Sequence, residues 1–413
     1  MLPKRRVVRQ GAVAMAARRA SQLTTIFGTH AGTRALSVLL GCVLVTTGGA
    51  VAFGCPFCGV VGESLASRRD RAACVSVAEA DGAAAADANG LLVQRFVMRQ
   101  PLRGDCPAEG EAQSVVARVA AAVNGTALLF GDRPDADDAM SWSAIAANEG
   151  VIGYVAAIPP VHEPAGERLA WLARRLEHPD PVIAADAFIE FGLAPYEAVR
   201  SAAAAFDAKK LRAWVRDGAA DQRRRGFYGL ALGLVAAIRP AESSESIRVL
   251  REAIDAPADD FRAGFDGLLG GVLVAEGEPA LAYLIGLGLL DPEARPVDQR
   301  HMLSALRFAW ESLAETIPRE AVADATCRLL AAPAVAADAA VDLARYRHWA
   351  AVNDVAALWE RFGKDDPLVR RAVAGYLMAC PSPEARRQLD ALAAVDPERL
   401  REAVDAAALP AGR

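Results

Sequence analysis

Cys55-Pro56-Phe57-Cys58 is the stretch of this 413-residue chain whose residue types and spacing most directly suggest chemistry. In a Cys-x-x-Cys pair the first thiolate has a lowered pKa and can exchange disulfides, given a strand before it and a helix N-terminus beneath it. No strand-like run precedes Cys55, so thiol–disulfide exchange is the alternative reading. Cys74 and Cys106 follow, making four cysteines between residues 53 and 157. An even number in an oxidising compartment reads first as two structural disulfides, each stabilising by ~2–4 kcal/mol. Four cysteines allow three pairings, and spacing does not choose among them. A four-thiolate zinc site would need a second Cys-x-x-Cys, which the chain lacks. Cys327 and Cys380, far apart in apolar helical stretches, read as buried free thiols, with a further disulfide as the alternative.

Other chemistry is weakly signalled. Asp132, Asp135, Asp137 and Asp138 crowd one loop without the glycine and terminal glutamate of a calcium loop, and read as solvated surface. His162-Glu163 has no second histidine at metalloprotease spacing. His178, His301 and His348 are also isolated along the chain, although His301 and His348 could meet in space. Gly-x-Ser-x-Gly, P-loop and Ser-x-x-Lys motifs do not occur. Gly264, Gly267, Gly270 and Gly271 lack dinucleotide-binding spacing and predict instead a close approach of helices. Trp171, Trp214, Trp310, Trp349 and Trp359 sit at helical positions and read as core. Arg223-Arg224-Arg225 reads as a solvated helix face. No catalytic residue, metal ligand or cofactor site is expected. The net charge of −5 argues against a nucleic-acid binder.

Elements that would position the cysteines begin with the N-terminus. Residues 1–62 contain no Asp or Glu but carry Lys4 and several arginines, and Ala35–Val45 is an unbroken apolar run. A basic region, a short apolar segment and Ala50-Val51-Ala52 make a secretory signal, with cleavage expected between Ala52 and Phe53. Two alternatives stay open: an uncleaved anchor through residues 35–54, or a lipid on Cys55. Met15 offers another start. Export to the periplasm or cell envelope is the expectation.

Ala72–Glu79, Leu91–Met98, Val115–Val123, Ala127–Phe130 and Met140–Ile145 are short apolar or alternating runs between turn-rich segments, and predict about five strands. Five short strands with N-terminal cysteines resemble the netrin-like, OB-type barrel of the tissue inhibitors of metalloproteinases, over about residues 55–150. That family opens its mature chain with Cys-x-Cys, whose first residue chelates the target's zinc. This chain has Cys55-x-x-Cys58, so inhibition does not carry over. Ile158-Pro159-Pro160 and Pro164 predict a stiff linker over 158–164.

From Ala165 the pattern is helical. Asp180-Pro181 reads as an N-cap followed by a proline in the first turn, with Ile183, Ala187, Phe188 and Phe191 on one face and Gly192 as the far cap. Openings on Asp recur at Asp221, Asp260, Asp298, Asp338 and Asp366, at spacings of 41, 39, 38, 40 and 28 residues. This period resembles HEAT-type helical repeats over 165–407. The layout is also similar to exported bacterial proteins that open Cys-Pro-Phe-Cys and end in helical repeats, a resemblance that carries no activity.

The expectation is therefore a multidomain α+β protein: an N-region and signal peptide (1–52), a disulfide-bonded OB-like β barrel (53–157), the linker, an all-α HEAT-like solenoid (165–407) and a tail (408–413). Such a solenoid presents an extended surface for a protein or peptide partner. A non-catalytic envelope scaffold is the first reading; an oxidoreductase acting through Cys55 and Cys58 is the second. Nucleic acid is not an expected partner, and membrane association is expected only through an anchor or lipid.

Overall fold

A computed structural model describes residues 57, 62–107, 113–133, 139–217, 222–258 and 260–408. Helix α1 (Leu65–Arg71) precedes the strands β1 (Cys74–Ala80), β2 (Ala85–Ala86), β3 (Leu92–Gly104), β4 (Ser114–Val119), β5 (Thr126–Asp132) and β6 (Ser141–Ala146). The five predicted strand runs are all present. The pairing order is β1-β5-β6-β4-β3, and β3 pairs back onto β1, so five strands close a barrel, with β2 a short addition on β3. β4 and β6 run parallel; the other pairs are antiparallel. β3 extends through Pro101, where a turn was expected. It does so because β1 and β3 shift register between Val75 and Ser76 and again between Val77 and Ala78, and such irregularities accommodate a proline in a ladder. The Ser76 hydroxyl donates to the Gln100 carbonyl there, at 3.0 Å.

Side-chain alternation assigns each strand face. In β4 every second residue is buried, and Val115, Ala117 and Val119 join Phe96, Met98 and Leu129 inside the barrel. β1 and β5 are covered on both sides. Ala78, Ala127 and Leu129 point into the barrel, whereas Val75, Val77, Leu128 and Phe130 join the core of the helical region.

Two helices that the sequence did not signal make that joint, α1 and α2 (Glu149–Ala157). The helical region continues as α3 (Ala165–Ala173), α4 (Pro181–Leu193), α5 (Tyr196–Ser201), α6 (Ala208–Arg216), α7 (Gln222–Ile238), α8 (Pro240–Asp255), α9 (Phe265–Glu276) and α10 (Glu278–Gly286). Next come α11 (Pro296–Ser312), α12 (Arg319–Arg328), α13 (Ala336–Tyr346), α14 (Val352–Arg361), α15 (Pro367–Ala379), α16 (Pro383–Val395) and α17 (Pro397–Ala408). Helices two apart in sequence pack together: α7 on α9, α9 on α11, α13 on α15 and α15 on α17 in one series, α6 on α8 and α14 on α16 in the other.

The two clearest openings are true caps. The Asp180 carboxylate accepts from the Val182 and Ile183 amides, and Asp366 accepts from Leu368, each with proline in the first turn. The middle openings differ. Asp298 and Asp338 lie inside the first turns of α11 and α13, and buried Asp298 faces Arg262 at 3.6 Å. Asp221 lies outside the described residues. Gly192 is not a left-handed cap: α4 runs through it to Leu193, and Pro195 stops the helix instead. Between α13 and α14 the helical pattern breaks at Arg347. That residue adopts φ 55°, and the His348 amide donates back to the Leu343 carbonyl, a left-handed helix terminus.

Candidate functional site

Two of the four candidate cysteines meet. Cys74, the first residue of β1, is bonded to Cys106, just beyond β3, where β1 and β3 lie in direct register. This disulfide ties the two longest neighbouring strands of the barrel. Of the three possible pairings it leaves Cys55 and Cys58 only each other within the N-terminal set. Those two residues, with Ala52 and Phe53, lie outside the described residues. Cys327 and Cys380 are free, Cys380 buried as expected and Cys327 only half-buried, and the Cys380 Sγ lies 3.2 Å from the Ser382 hydroxyl.

Phe57, between the two outlying cysteines, has a definite seat. Its ring is buried against Phe308 of α11, edge-on at 5.0 Å, and lies over Gly270 of α9. Its carbonyl faces Gly226 of α7. Phe57 is thus pinned into the helical region by its own ring. The seat exists because α7 and α9 cross with their backbones in contact. Gly226, Gly229 and Gly233 on one side meet Gly264, Gly267 and Gly271 on the other, at identical spacing. A methyl group at Gly233 would strike the Gly271 carbonyl, and one at Gly267 the Gly226 carbonyl. The expected close approach is therefore real. Its partner, the glycines of α7, carries no mark in a sequence read helix by helix.

A buried polar cluster fastens the barrel to the helical region. Asp186 of α4 accepts from the Leu65 amide at the start of α1 (2.6 Å) and from the Tyr154 hydroxyl of α2 (2.7 Å). Burial pushes its carboxyl up to about 6, although both hydrogen bonds oppose that shift. Arg168 of α3 pairs with Glu190 of α4. Arg69 of α1 donates to the Val155 and Ile158 carbonyls, and Asp70 accepts from the Val161 amide at 2.8 Å. The proline-rich stretch is consequently held against the barrel. The cluster fastens α1, α2 and the 158–161 segment to α4, while the buried Glu190 Oε1 has no hydrogen-bond partner among the described residues.

Within the arginine run, Arg224 departs from expectation. Arg224 is mostly buried, ion-paired to Glu177 at 2.8 Å and set over Phe188, because α7 begins against the end of α3. His301 and His348 acquire different neighbours. His301 is buried, with Nε2 3.0 Å from the Phe261 carbonyl and Nδ1 facing Asp266, while His348 faces α12. Trp359 is core; the other four tryptophans are half-buried at its margin.

At the far end of the helical region, α13, α15 and α17 leave a groove of about 650 Å³. Its floor is made of small side chains, Ala337, Ala344, Ala372, Gly375 and Ala407, with Tyr376 among them. Val341 and Leu368 stand exposed at its edge, Leu368 at 64%. Arg371 also lines it and makes no ion pair among the described residues. No helix among the described residues is long and apolar enough to cross a membrane. Comparison of the chain with models of protein families, with curated proteins and with solved structures yields no match.

Proposed function

We propose that the protein is an exported, non-catalytic binding scaffold, and that the α13–α15–α17 groove holds a short segment of a partner protein. The observation carrying this reading is the groove itself: a small-residue floor, exposed Leu368 and Val341 at the edge, and an unpaired arginine beside them. Apolar burial would supply most of the affinity, and Arg371 would select a carboxylate next to the apolar residues. The reading of the helical region as a HEAT-like solenoid is supported by the packing of alternate helices and by the proline-led helix openings. The OB-type reading of the barrel rests on its closed five-strand order and its single parallel pair. The basic, then apolar, N-terminus supports export, as does the Cys74–Cys106 disulfide.

A displayed-peptide selection on the full chain tests the groove. Apolar peptides with a flanking Asp or Glu should be enriched, and Leu368→Asp should weaken them at least roughly tenfold, one desolvated Leu contact. Peptides that bind Leu368→Asp and Arg371→Glu as well as the parent protein would refute it.

A second reading, thiol–disulfide exchange, is favoured by one observation: the Cys74–Cys106 bond leaves Cys55 and Cys58 as each other's natural partners. Catalysed disulfide reduction of a protein substrate that vanishes in Cys55→Ser would establish it. Equal rates would dismiss it.

A further inference from the structure

Three metal-ligating side chains that no part of the scaffold uses converge beside α12. Glu320 and Asp324 are four residues apart on that helix and so share one face. His348 reaches the same point from the turn after α13. One ligand atom from each lies within 4.8 Å of the others. Both carboxylates are exposed, and none of the three side chains has a hydrogen bond or ion pair among the described residues. Two carboxylates and an imidazole are thus held together.

Their positions are built rather than incidental. Glu320 and Asp324 are set by the helix. His348 is set twice through its main chain: its amide donates to the Leu343 carbonyl at 3.0 Å, and its carbonyl accepts from the Tyr376 hydroxyl at 2.6 Å. Both bonds leave the ring free to ligate. The left-handed turn at Arg347 that aims the histidine here is one of only three non-glycine positive-φ positions among the described residues. Asp354 of α14 adds to the negative field. Burial, with Asp324, Asp354 and Glu320 nearby, pushes the neighbouring Cys327 thiol up to about 11.

We propose that Glu320, Asp324 and His348 form a binding site for a divalent first-row transition metal ion, zinc being the best match. The imidazole disfavours calcium and magnesium, which take oxygen ligands. Three protein ligands on an exposed face leave the fourth tetrahedral position to water or to a group from a partner. The site would also clamp α12 to the turn that joins α13 to α14.

Zn²⁺ titration of the chelator-stripped full chain by calorimetry tests the assignment. The parent protein should bind one equivalent at this site. His348→Ala and the double variant Glu320→Gln/Asp324→Gln should each bind it at least roughly tenfold more weakly, since losing even an outer-shell partner costs that much. Cys55→Ser/Cys58→Ser should keep it, which separates this site from zinc held by the cysteines. Co²⁺ should give visible absorption that is lost in the same two variants. Should His348→Ala fail to fold, the exposed double variant decides. Zinc binding unchanged in that variant, or lost only in the cysteine variant, overturns the proposal.

Discussion

The α7–α9 crossing and the α13–α15–α17 end are both stacks of helices two apart in sequence, lined with small residues, yet one is shut and the other open. At the crossing three glycines meet three glycines, the backbones touch, and the Phe57 ring packs over Gly270 beside them. At the far end the groove floor carries alanines around one glycine, Gly375. Each methyl group holds the helices slightly apart, and the resulting trough is covered by nothing in the described chain. One carbon per contact separates a structural weld from a surface able to take a ligand. The difference also divides the labour. The weld seats the Phe57 ring, while the trough lies between α13, α15 and α17.

Emptying the weld is the most damaging way to break this contrast. Phe57→Ala removes a buried aromatic ring from between α9 and α11 and leaves a cavity bounded by Phe308 and Gly270. A loss of ~3–5 kcal/mol is expected, read from the urea midpoint with the slope unchanged. A loss below about 1 kcal/mol, the level of an ordinary surface change, would mean that the ring merely rests there.

Legibility followed the range of the interactions. The strands were readable because alternation is local, and β4 shows it in its plainest form. The ends of α4 and α15 were readable because a capping carboxylate and a proline act within three residues. Helices α1 and α2 were not. LASRRDR has no apolar stripe, and its place is set by Asp186, more than a hundred residues later. The glycines of α9 were noticed as a cluster, but Gly226, Gly229 and Gly233 are spread along α7 and acquire meaning only opposite their partners. Phe57 was overshadowed by the cysteines beside it. The meeting of His348 with Glu320 and Asp324 depends on the left-handed turn at Arg347, which no local pattern marks.

The same substitution made at both places sharpens the comparison, because its sign should reverse. Gly233→Ala forces a methyl group into the Gly271 backbone, which has no rotamer with which to yield. It should destabilise by ~1–3 kcal/mol, as overpacking of a filled core does. Gly375 lies mid-helix in α15 on the groove floor, and an added methyl meets only the Ala407 methyl, at 3.6 Å, an ordinary contact. Its φ is not positive, so alanine fits without strain and removes glycine's excess freedom in the unfolded chain. Gly375→Ala should therefore stabilise by about 0.5–1 kcal/mol, the smallest effect of the set. The melting temperature should rise by a few degrees at most, given a chain of this length. Losses at both positions would place α15 and α17 in the same backbone contact as the weld, and the trough between them would have to be closed. A gain at Gly375 beside a loss at Gly233 is what an open groove requires.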